Sequence, residues 1–165
     1  GVALVADDFQ PLHRDVVAGV EDRVVEDFFA IQSGPLVRLH HAAQGKPYAC
    51  FVRPDSTLPF MVMPDAIKSL LLLEAAPKES LRQLVYNVTS FSPTAEQFRQ
   101  HVVHAFLNAD ITFEPHLARQ KIVDSWPADV DDSDAARDWG WKPDYDETRA
   151  FDEYLIPSIK SRYNK

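Results

Sequence analysis

The sequence predicts a mixed α and β fold (α+β), a small sheet of short strands packed with helices, and three observations lead there. Apolar residues recur at helical spacing in several separate stretches, as the buried stripe of an amphipathic helix requires. Between them lie β-branched and aromatic runs of only three to six residues, long enough for short strands. The five glycines stand at positions 1, 19, 34, 45 and 140, and no two fall within ten residues of each other. A full doubly wound nucleotide-binding sheet needs clustered glycines where backbone meets pyrophosphate, so that architecture is not expected.

Taken in order, Val16, Val17, Val20, Val24, Phe28 and Ile31 predict an amphipathic helix over 16–31, ended by Ser33-Gly34-Pro35. A second helix is expected from about Leu36 to Gln44, stopped by Gly45. Tyr48 to Arg53 reads as a strand, and Leu58 to Val62 as an extended segment. Asp65 is placed to cap a helix carrying Ile67 and Leu70 to Leu73, which should end before Pro77. Leu84 to Val88 reads as a short strand, and Ser92-Pro93 as the start of a helix with Phe98, Val102 and Phe106 on its buried side. Ile111 to Glu114 is another strand. Ser133 to Asp138 forms a short helix closed by Gly140, and Asp146 opens a final helix with Phe151, Tyr154 and Leu155, interrupted at Pro157. Residues 1–34 are expected to form one helical segment and residues 35–165 the main domain.

Charge narrows the function classes. The chain holds 17 basic and 25 acidic residues, a net charge of −8. Residues 124–153 contain eleven acids and three bases, so that stretch carries the whole imbalance. No basic face is left to displace counterions from nucleic acid, and no nucleic-acid partner is expected. The acidic stretch fails as a calcium loop: starting at Asp129, it would put Asp134 where the turn needs glycine and Gly140 where bidentate Glu is needed. It reads as a solvated surface. The longest run of leucines is four residues, so no membrane span is expected, and no basic leader precedes an apolar stretch. Cys50 has no second cysteine to pair with, which points to a reducing, cytoplasmic setting.

No catalytic set emerges. His101 and His104 lie one helical turn apart without a third ligand at a recognisable spacing, and His40-His41 cannot face one way on a helix. Cys50 falls within a strand, where a small buried role suits it better than nucleophilic attack. Gly-x-Ser-x-Gly is absent. The residues four beyond Tyr48, Tyr86, Tyr145 and Tyr154 are Val52, Ser90, Arg149 and Ser158, so no Tyr-x-x-x-Lys pair exists. Trp139 and Trp141 flank Gly140 and read as aromatic anchors at a helix end. Trp126 lies in a loop, where an indole either packs or walls a pocket.

Five segments carry a resemblance. Gln44-Gly45-Lys46-Pro47-Tyr48, Leu58-Pro59-Phe60-Met61-Val62-Met63-Pro64-Asp65-Ala66-Ile67, Tyr86-Asn87-Val88, Asp124-Ser125-Trp126-Pro127 and Asp138-Trp139-Gly140-Trp141-Lys142-Pro143 occur in that order. Over roughly residues 36–160 the chain resembles the C-terminal part of extended short-chain dehydrogenases/reductases, in the branch of NAD-dependent L-threonine 3-dehydrogenases and nucleotide-sugar epimerases. The resemblance implies that an N-terminal Rossmann half would hold NAD and supply the catalytic Tyr and Lys, while this half forms the substrate pocket and lid. It implies an amino-acid-like ligand contacted by Trp126, with Ser125 and Met61 as neighbours, and no catalytic, cofactor-binding or metal-binding residue in this chain. Ser33-Gly34-Pro35-Leu36 stands where such proteins carry Gly-Thr-Thr-Asp, and Val62 where they usually have Tyr. The expected partner is the missing Rossmann half or a second copy of the chain, and the chain alone is expected to be inactive. A stand-alone binding or oligomerisation module that has lost the chemistry is the alternative.

Overall fold

A computed structural model describes residues 37–163. The helix expected over 16–31 and its segment 1–34 lie outside the described residues. The first described element is a helix over 37–43 (α1), closed by Gly45 at φ 65°, with the Gly45 N–H donating to the Ala42 carbonyl at 3.1 Å. Strand β1 (Tyr48–Cys50) pairs in parallel with β2 (Ile111–Phe113), with Tyr48 opposite Ile111 and Cys50 opposite Phe113. This two-stranded sheet is the sheet of the described residues. The long connection between its strands holds α2 (Met63–Ala75), a 3-10 turn at Lys78–Ser80 and α3 (Ala95–Ala105). After β2 come α4 (Leu117–Asp124), α5 (Ser133–Trp139) and a C-terminal helical rod. The fold is mostly helical around a small sheet, the mixed architecture expected.

Several elements differ from expectation for identifiable reasons. Asp65 does not cap α2: Val62 is the N-cap residue and no side chain caps it, because the Asp65 carboxylate is taken by long-range donors described below. Residues 84–88 form no strand. Leu84 and Val85 are almost wholly exposed, and a strand needs a neighbour's edge to satisfy its backbone. Helix α3 starts two residues beyond Ser92-Pro93, because Thr94 and Gln97 form a reciprocal capping box there. The first strand stops at Cys50, three residues before Arg53. Helix α4 was absent from the expectation; Gln120 and Val123 are its buried residues while Leu117 is exposed, so its apolar pattern is not the one a helix usually shows.

The C-terminal rod runs through Pro157 without breaking. Asp146 accepts from the Arg149 N–H and starts α6 (Glu147–Arg149), which passes into a π-helical stretch (Ala150–Leu155) and then α7 (Ile156–Tyr163). In the π stretch the Ile156 N–H donates to the Phe151 carbonyl, five residues back. The wider turn accommodates a proline ring that would otherwise press on the preceding turn.

Three apolar clusters hold these pieces together. Leu39, Phe98, Val102, Ile111, Phe151 and Ile159 join α1, α3, β2 and the C-terminal rod. Cys50, Val52, Ala95 and Val123 join β1 to α3 and α4. Met61, Ala66, Ala135 and Trp141 join α2 to α5. Cys50 is wholly buried, as its strand position implied.

Candidate functional site

Helix α4 positions the loop tryptophan. His116 opens it by accepting from the Arg119 N–H, and Ser125 closes it. The Ser125 hydroxyl donates to the Ile122 carbonyl at 2.7 Å, and the Trp126 N–H donates to the Val123 carbonyl at 3.0 Å. Pro127 then prevents the helix from continuing. Trp126 is left half-buried, packed on the Cys50–Val52–Ala95–Val123 cluster.

A polar network braces this corner. Arg53 donates to both carboxylate oxygens of Asp124, at 3.0 and 2.9 Å, and also contacts Asp55 at 3.2 Å. Buried Gln120 accepts from the Arg53 N–H at 2.7 Å and donates to Asp124 Oδ1 at 2.6 Å and Ser56 Oγ at 3.0 Å. The Arg53 hydrogen bonds, with help from Gln120, hold the Asp124 carboxyl below its ordinary value. Asp124 in turn raises the Arg53 guanidinium. The pair stays ionised across the physiological range and fixes the end of α4 against the loop after β1.

Beside the network lies a shallow recess of about 280 Å³, counted with its open mouth. Arg38, Val52, Ser56, Leu58, Phe60, Pro93 to Ala95 and Phe98 line it. Val52, Ala95 and Leu58 belong to or pack on the same cluster as Trp126 and also line the recess. Neither Ser125 nor Trp126 is among the residues that line the recess. Met61 is enclosed in the third cluster, with Ala66, Ala135 and Trp141. Arg38, Arg53 and Gln120 were not singled out from sequence. An arginine inside the stripe of α1, one residue before buried Leu39, was the available signal for Arg38.

The tryptophan corner is structural. Gly140 takes the left-handed conformation at φ 74° that closes α5. Trp141 is buried and its Nε1–H donates to Asp132 at 3.0 Å. Trp139 meets Tyr86 edge-on at 5.9 Å. The Tyr86 hydroxyl and Arg137 Nε donate to Asp138, at 2.9 and 2.7 Å. Arg137 first, then Tyr86, hold the Asp138 carboxyl down to about 2. His101 stacks on Phe151 at 4.2 Å and contacts Glu147 at 3.0 Å. Among the described residues no three His, Cys, Asp or Glu side chains are grouped to hold a metal ion.

Among the described residues, no glycine opens a helix as a phosphate cradle requires. Gly45 and Gly140, the described glycines with positive φ, each close a helix. A phosphate cradle places its glycines where a helix begins, so that free N–H groups face the anion.

Comparison with known proteins gives these segments a relative. The chain is 38% identical over 107 residues to the mitochondrial L-threonine 3-dehydrogenase of Bos taurus, a span that is 65% of this chain and 29% of that protein. It is a partial homologue of the L-threonine 3-dehydrogenase and epimerase/dehydratase family. An uncharacterised epimerase/dehydratase of Staphylococcus haemolyticus is 28% identical over 87% of this chain and 42% of its own length. The solved L-threonine dehydrogenase of Cupriavidus necator, known in holo and apo forms, superposes at TM-score 0.71 with 33% identity, and the holo form matches 80% of this chain and 41% of its own. The Trypanosoma brucei enzyme superposes at 0.70 with 30% identity. The chain thus spans less than half the length of these family members. No family model matches it. Among the described residues no helix is long and apolar enough to cross a membrane.

Proposed function

We propose that this chain is the substrate-binding half of an NAD-dependent L-threonine 3-dehydrogenase-like oxidoreductase. One observation carries the reading: a 33% identical match over 80% of the chain, confined to 41% of a solved L-threonine dehydrogenase. The NAD site and the catalytic Tyr and Lys belong to a separate or preceding half. In the joined enzyme, a hydride passes from a secondary alcohol carbon to NAD while a Tyr removes the hydroxyl proton. Trp126 and Ser125 contribute to the amino-acid pocket, whereas Met61 is enclosed in the third cluster and does not line the recess. Cys50, buried and reduced, suits a reducing compartment. The chain alone does not catalyse the step.

The test joins this chain to the remaining N-terminal portion of the Cupriavidus necator enzyme, by co-expression or fusion, and follows NADH absorbance with L-threonine. Threonine-dependent NADH formation is expected from the joined form and none from the chain alone. Two halves that neither associate nor turn over would sink the assignment. Steady turnover by the chain alone would show that a cofactor site exists within it.

A second reading has one observation behind it. Ile67, Leu70 and Leu71 are each more than half exposed on one side of α2, a spacing that forms an apolar stripe suited to association. A stand-alone module would cover that stripe with a second copy. Light scattering at micromolar concentration separates a dimer from a monomer.

A further inference from the structure

Arg38 carries a charge that the described residues do not neutralise. The residue is 4% exposed, and none of the described ion pairs includes it. Its Nη1 donates to the Ala95 carbonyl at 3.1 Å, and its guanidinium carbon lies 5.4 Å from the centre of the Phe98 ring. Its Nε is buried and has no hydrogen-bond partner. Tyr48 lies close by, but burial raises that phenol above its ordinary value despite Arg38, so it stays neutral and adds no counter-charge. A guanidinium cannot shed its proton to escape burial. One carbonyl bond, the neutral Tyr48 hydroxyl and one aromatic face offset the desolvation of a cation only in part.

Ala95 and Phe98 both line the recess described above, which sets the guanidinium in its wall. Thr94 lines the recess and is the N-cap of α3, whose first N–H groups already donate to Ser56, Pro54 and Thr94. The Thr94 oxygen accepts from the Gln97 N–H at 3.1 Å, which leaves its hydroxyl proton for an outside acceptor. The other walls, Val52, Leu58 and Phe60, are apolar.

We propose that this recess binds a small monovalent anion, of chloride to formate size, held by Arg38 and the Thr94 hydroxyl. A single guanidinium among apolar walls favours a weakly hydrated monovalent ion over the strongly hydrated sulfate or phosphate. A halide and the carboxylate of a very small acid present the same chemistry to Arg38, so both are tried separately.

The full chain is titrated with sodium bromide and, separately, with sodium formate, at ionic strength held constant by gluconate, a bulky and strongly hydrated anion. A saturable rise in the thermal unfolding midpoint with either ion supports the site, and bromide alone or formate alone identifies its occupant. In Arg38→Met the apparent affinity falls by about tenfold or more, because the charged donor is gone. The Thr94→Val variant loses a smaller part. No saturable rise with either ion, or an equal rise in Arg38→Met, overturns the proposal. If Arg38→Met does not fold, crystals of the unaltered protein soaked in bromide decide. Anomalous density within hydrogen-bonding distance of Arg38 supports the site, and bromide found only at exposed residues overturns it.

Discussion

Replacing Asp65 by alanine should destabilise the protein far more than its place in the first turn of a helix suggests. Its carboxylate is completely buried and accepts three hydrogen bonds from distant segments. These come from Ser90 Oγ at 2.8 Å, the Asp144 N–H at 2.9 Å and the Tyr145 N–H at 3.2 Å. Asp65 thereby ties the start of α2 to the segment after the tryptophan corner and to residue 90. A bond to a charged acceptor contributes about 1.5–3 kcal/mol, and a buried donor left without a partner costs about 1–3 kcal/mol. Removing the carboxylate also removes its own desolvation, which lowers the total. The expected loss is about 3 kcal/mol, or a fall of about 10 °C in melting temperature for a domain of this size. Asp65→Asn keeps one acceptor oxygen and should fall between the two. Glu153→Ala serves as the control, since its pair with Arg149 is half exposed on both sides and should be worth about 0.5 kcal/mol or less. Urea titrations followed by circular dichroism would compare them. If Asp65→Ala unfolds within about 1 kcal/mol of Glu153→Ala, the tie does not hold the fold together as argued.

Other perturbations test other parts of the architecture. Phe151→Ala removes a fully buried ring that meets Phe98 at 4.8 Å and His101 at 4.2 Å; a loss of about 3–5 kcal/mol in urea is expected, and a loss under about 1 kcal/mol would contradict this core assignment. In Gly140→Ala the new methyl meets nothing within 4 Å, so strain at φ 74° alone should cost about 1–2 kcal/mol; an unchanged melting temperature would show that the corner does not need glycine. Asp138 is held at about 2 in the folded protein against an ordinary 3.8. The folded state therefore gains from its ionised form above the ordinary value and loses that gain as pH falls from 3.8 toward 2. The stability gap between the unaltered protein and Asp138→Asn should shrink through that window, and a gap independent of pH from 5 to 2 would refute the assignment.

Much of the element order was legible in the residues, where local chemistry decides. Gly45 and Gly140 ended helices as glycines with positive φ do, Asp146 opened the last helix, and Phe98 and Val102 formed the buried side of α3. The ordered segments around Pro59-Phe60, Trp126 and the tryptophan corner pointed to the family whose members the chain matches. Errors arose where a residue's partner lies far away in sequence. Asp65 has the side chain and position of a helix cap, yet Ser90, Asp144 and Tyr145 outcompete the nearby N–H groups for it. Leu84 to Val88 has strand composition but no adjacent edge. Helix α4 was hidden because its buried stripe includes Gln120, whose burial is stabilised by Arg53, Ser56 and Asp124.

The candidate site divides along the same line. Sequence alone determined that Trp126 sits in a proline-limited loop, that the glycines are too scattered for a phosphate cradle, and that the acids crowd into residues 124–153. Only the tertiary structure decided that Trp126 packs on the cluster of Cys50, Val52, Ala95 and Val123, that Met61 packs in a separate cluster, and that Arg38 is buried with no carboxylate partner among the described residues. The reason is physical: helix ends and turns depend on bonds a few residues long, whereas desolvation and pairing depend on everything brought within a few ångströms, whatever its distance along the chain.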